Sequence, residues 1–143
     1  MTPLGDPVAV EELAAQLVAA AETATGVGFG LHSGLEAATF RSQRSAGFRE
    51  RSIARRQGLE SDAEEMRALA LALRAHAGWI RSTVAEMRAL EQQITGWASA
   101  HPTGSDPAGM DASIIPRKWQ WPETGTLRWR EIATMLRRRG VVF

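Results

Sequence analysis

Apolar residues recur along this chain three and four positions apart, which is the spacing of helices packed on one face, and no β-hairpin signal interrupts the pattern. Val10, Leu13, Ala14, Leu17, Ala21 and Ala24 form the first such stripe. Asp6 is placed to cap it, Pro7 suits the first helical position, and Gly26 is a stop, so the pattern predicts a helix over about 7–25. Glycines at 26, 28, 30 and 34 then suggest a flexible connector. Ser33 with Glu36 has the capping-box spacing that would open a second helix over about 34–57. Gly58 interrupts that helix, and Ser61 with Glu64 repeats the capping signal for a third helix over about 62–100, ahead of Pro102.

The third predicted helix is the most regular part of the chain. With Met66 as position a of a heptad, the a column reads Met66, Leu73, Ile80, Met87 and Ile94. The d column reads Leu69, His76, Thr83, Leu90 and Trp97, and the e column Ala70, Ala77, Val84, Glu91 and Ala98. A seven-residue repeat sustained this long belongs to a helix seated against another helix, and alanine at e lets that partner approach closely.

Beyond His101-Pro102 the composition turns to Gly, Ser, Asp and Pro, as in a linker. Ile114–Pro122, with Trp119, Trp121 and two prolines, is expected to be extended. A short helix follows over about 127–139, with Trp129, Ile132, Ala133 and Leu136 as its apolar face and Gly140 as its stop. The predicted fold is therefore all-α. It is a helical hairpin or bundle with an additional N-terminal helix, and a short C-terminal helix after a Pro/Trp-containing extended segment. Residues 1–100 form the bundle in this reading, and 101–143 a linker with a Trp/Arg-rich docking segment.

Composition narrows the chemistry. The 143 residues include no Cys, so disulfides, thiolate metal sites and cysteine nucleophiles are excluded. No apolar run reaches the roughly 18 residues of a membrane span, and the first residues lack a signal peptide's basic start. The chain is expected to be cytoplasmic at synthesis. No HExxH, GxSxG, phosphate-loop or EF-hand pattern occurs, and His32, His76 and His101 do not cluster in sequence. No catalytic residue, metal ligand or cofactor is predicted.

The formal net charge of +1 conceals blocks. Residues 1–40 carry −5, 41–58 carry +5, 59–100 carry −2 and 101–143 carry +3. Arg67, Arg74, Arg81 and Arg88 repeat every seven residues as a solvated b column. Arg41, Arg44, Arg55 and Arg56, with Arg137, Arg138 and Arg139, are the candidate contacts if nucleic acid is a partner. Tryptophan divides into two on the long helix, Trp79 and Trp97, and three in the tail, Trp119, Trp121 and Trp129, which is typical of a docking segment.

The stretch Ala77-Gly78-Trp79-Ile80 through Gln93-Ile94-Thr95-Gly96-Trp97-Ala98, followed by His101-Pro102, resembles the helical modules of WXG-type partners and substrates of actinobacterial type VII secretion. The resemblance covers about residues 34–100, with Gln57–Ser61 at the turn where that family has W-x-G. It implies a helical hairpin, a protein partner and export by a route that uses no signal peptide. The function expected is thus a non-catalytic helical interaction module that assembles as a homo-oligomer or with a helical partner. Leu73, Ile80, Met87, Ile94, Trp97, Trp119, Trp121 and Trp129 are its candidate contacts. The alternatives are a nucleic-acid-associated protein and a phage or virion structural protein.

Overall fold

A computed structural model describes residues 4–37, 43–100 and 121–143. It contains three helices, α1 (Pro7–Ala37), α2 (Gln43–Ala100) and α3 (Arg128–Arg138), and no strand among the described residues. The all-α class is as the periodicity predicts, with α1 and α2 packed as a hairpin and a short C-terminal helix after them.

Two predicted breaks are not breaks. The glycine-rich stretch 26–34 continues α1, which runs to Ala37, and the helix expected over 34–57 joins, from Gln43 on, the one expected over 62–100 in a single helix of 58 residues. Gly58 and the capping-box pattern at Ser61 therefore lie inside α2, and the expected turn at Gln57–Ser61 is helical. Each interior glycine disfavours helix by about 1 kcal/mol relative to alanine, but propensity is a weak prior once tertiary packing is available. The seam between the helices supplies that packing.

The contacts divide the chain into two compact units. One is Pro7–Ala77, and the other is Gly78–Phe143 together with the N-terminal residues before α1. In the first unit, α1 buries Ala14, Ala21 and Gly28, each seven residues from the next. The facing part of α2 buries Ser52, Ala63, Ala70 and Ala77, with Arg56, Leu59, Met66 and Leu73 half-buried between them. That set alternates four and three apart, so the seam of α2 consists of its a and e columns. Small residues on both sides let the two backbones come close. A Cβ on Gly28 would stand 3.6 Å from Cγ of Arg56, which fixes these residues at one level of the antiparallel pair. Stepping by seven in opposite directions from there brings Ala21 level with Ala63 and Ala14 level with Ala70.

In the second unit, α3 packs on the last part of α2. Met87, Leu90 and Ile94 form a core with Trp129, Ala133, Leu136 and Val141, while Trp97, Trp121, Leu127, Ile132, Met135 and Phe143 close its edges. Thr83 and Leu90 are buried here and Trp97 is half-buried, so α3 covers the d column as well as a.

Local chemistry explains how α3 is mounted. The Thr126 N–H donates to the Glu123 carbonyl at 3.3 Å, and Gly125 has φ +73°, as the third position of a type II turn requires. The helix begins with two tight bonds, from Trp129 N–H to the Thr126 carbonyl and from Arg130 N–H to the Leu127 carbonyl. It ends at Gly140 as the sequence predicts. With φ +86° there, Gly140 N–H donates to the Arg137 carbonyl and Val141 N–H to the Leu136 carbonyl, a Schellman motif. Its apolar partners, Val141 and Leu136, are both in the core.

Candidate interaction surface

The residues predicted to bind a partner are mostly engaged within the chain. Ile80, Met87, Ile94 and Trp129 are buried, Leu73, Trp97 and Trp121 are half-buried, and Trp119 lies outside the described residues. The periodicity located a packing face correctly, but much of that face is covered by α1 and α3. The Trp121 and Trp129 rings meet edge-on at 6.0 Å and 76°, within the second unit's own core. The apolar face of α3 is likewise turned inward, so the basic character of its other face is not accompanied by a free apolar stripe of the membrane-binding kind.

Apolar residues are exposed on both flanks of the hairpin: Phe29 and Ile53 lie on one, and on the other, the open flank, they are set in rows. In the first unit the d column of α2 does not face α1, and Leu69 is 52% exposed there. Phe48, Arg55 and Asp62 occupy the same column and are also exposed. On α1, Leu13, Leu17, Ala20, Ala24, Val27 and Leu31 recur four and three apart, a second apolar stripe beside the buried one. Leu13 and Val27 are 49% and 51% exposed, and Leu31 is also exposed.

Helix geometry puts both rows on the same side. At 100° per residue each row lies about a quarter turn behind its own seam, and in an antiparallel pair equal offsets fall on one flank. The hydrogen bond from Arg67 Nη2 to Thr25 Oγ1, at 2.9 Å, marks the opposite flank, because both of those residues lie ahead of their seams. Sequence reading put Leu13, Leu17 and Ala24 in the first helix's packing stripe and missed Val27 and Leu31, because it ended the helix at Gly26. The signal was present in the spacing of Leu13 to Leu31, which runs through the glycines without losing register.

The charged candidates are dispersed. Arg55 is exposed, while Arg56 lays its stem on Gly28 and pairs with Glu60 at 3.0 Å. Arg44 lies in α2, and Arg41 falls outside the described residues. In the second unit Arg137 stacks over the Phe143 ring at 5.0 Å, and Arg138 and Arg139 are exposed. These last two border an open groove of about 620 Å³ on α3, lined also by Leu127, Arg130 and Met135. Arg130 is held by Glu86, with its Nη2 at 2.8 Å and Nε at 3.3 Å from the two carboxylate oxygens. Three arginines against one acid, Glu131, make the groove cationic.

Among the described residues no group of three His, Asp or Glu side chains is placed to hold a metal ion, and no helix is long and apolar enough to cross a membrane. In the first unit the b-column residues Arg67 and Arg74 lie on the flank marked by Thr25, and Arg67 already donates to that residue. Compared with known proteins, the chain matches no family model, no curated protein and no solved structure.

Proposed function

We propose that this chain is a non-catalytic helical interaction module that docks another helical surface along the open flank of the α1–α2 hairpin. The observation that carries the reading is the apolar row Leu13 to Leu31 on α1, set beside an α2 column that exposes Phe48 and Leu69 on either side of Arg55 and Asp62, next to a seam that is already filled. Leucine and valine side chains half in water gain about 25 cal/mol for each Å² they bury, and a helix laid between the row and the column buries both.

The continuation of α2 supports the same reading. In the second unit its d column is covered by α3, through Leu90 and Trp97. In the first unit no such helix covers Leu69 among the described residues, and that side chain is 52% exposed. A role as a secretion-associated partner or substrate extends this proposal and draws on the resemblance of Ala77–Ala98 to WXG-type modules.

The test is the paired substitution Val27→Asp with Leu69→Asp. Both sites are exposed, so helical content measured by circular dichroism should stay at the wild-type level. Association, read by light scattering alone and with a candidate partner, should be lost. Unchanged association in a folded double variant would refute the reading.

A further inference from the structure

We infer that the occupant of the hairpin's open flank is a second copy of this chain, laid antiparallel on the first about a two-fold axis between Arg55 and Asp62. This rests on the flank being the docking surface. Two independent rows of residues lead to the same axis.

The first row is the d column of α2. Arg55 and Asp62 are neighbours in that column, both are exposed, and neither has an ion-pair partner among the described residues. In two antiparallel copies crossing midway between them, Arg55 of each copy stands opposite Asp62 of its mate. The same operation sets Phe48 opposite Leu69, the two exposed apolar members of the column. A dimer with this symmetry is isologous, so each favourable pair is made twice. Oppositely charged pairs at a helical interface fix register and suppress the alternatives.

The second row is on α1, and its level follows from the hairpin itself. Because Gly28 lies against Arg56, the midpoint between Arg55 and Asp62 falls at the level of Thr25 and Gly26 on α1. The apolar row of α1 is complementary in size about that same point. Val27 comes opposite Ala24 and Leu31 opposite Ala20, large against small in both cases. Charge on one helix and volume on the other thus select one register, and the product is a four-helix arrangement in which the open flank of each copy is covered by the other.

The experiment is a light-scattering and sedimentation series over a wide concentration range, on the full chain and four variants: Arg55→Asp, Asp62→Arg, the two together, and Val27→Asp with Leu69→Asp. The expected result is a wild-type dimer that weakens by about tenfold or more with either single reversal and recovers in the double reversal. A dimer abolished by the flank pair but not restored by the double reversal overturns the register and leaves the flank as the docking surface. A wild-type monomer at every concentration overturns self-pairing, and the docking reading then stands or falls on a heterologous helix. A dimer indifferent to the flank pair overturns both. Circular dichroism on each variant confirms that the helices are intact.

Discussion

The indole of Trp129 donates its Nε1–H to the backbone carbonyl of Glu123 at 3.1 Å, and the same oxygen accepts the Thr126 N–H that closes the turn. One carbonyl therefore ties the largest buried side chain of α3 to the loop that mounts the helix. Packing and turn geometry are coupled at that atom.

Trp129→Ala should remove the centre of the second unit's core. Truncating a buried Trp costs about 3–5 kcal/mol, and here the Glu123 carbonyl loses a donor as well. Hydrogen exchange should accelerate across α3, while the amides of α1 around Ala14 and Ala21, which belong to the other unit, keep their protection. Accelerated exchange through α1 as well would contradict this division.

Thr126 offers a substitution in the opposite direction. Its hydroxyl is buried and has no hydrogen-bond partner among the described residues. Thr126→Val keeps the shape and removes the stranded polar atom, so it should stabilise the protein by about 1 kcal/mol. A midpoint shift in urea unfolding monitored by tryptophan fluorescence measures it, and a lower midpoint would be the contrary result.

Three glycines should answer differently to alanine. Gly125→Ala combines φ +73° with a Cβ only 3.3 Å from Cγ1 of Val84, so it should cost the most, about 2 kcal/mol or more. At Gly140 the conformation is equally left-handed but the space is open, and about 1 kcal/mol is expected. Gly28→Ala places its methyl at an ordinary contact distance inside a helix and should stabilise by about 0.5–1 kcal/mol. Thermal denaturation of the three variants under one condition gives the ranking.

The Arg130–Glu86 pair is bidentate, yet both side chains are about half exposed. Solvent screens such a pair, and a double-mutant cycle should return no more than about 1 kcal/mol of coupling. The coupling should shrink as salt rises. A value several times larger, insensitive to salt, would mean that the pair is shielded from solvent.

The residues that declared themselves in sequence are those whose role depends on spacing along one helix. Met66, Leu73, Ile80, Met87 and Ile94 could be aligned without knowing any partner, because a heptad is a property of a single helix. Gly140 was likewise legible as a stop, since Gly at that position releases the left-handed strain of a Schellman turn. Leu69 was less legible. It belongs to the same repeat, but whether a d residue is buried or exposed depends on which helix lies beside it.

The sequence by itself determined the helical class, the seven-residue repeat, the short final helix and the separation of charge into blocks. Those follow from covalent order and helical periodicity alone. Only the tertiary structure decided that Gly26–Gly34 and Gly58 continue their helices, because a seam of small residues outweighs a local propensity of about 1 kcal/mol per glycine. It also decided that the a and e columns of α2 face α1, while Leu69, Leu13 and Val27 are left on an uncovered flank. A helix carries several candidate faces at once, and which one is filled depends on neighbours that are distant in the chain.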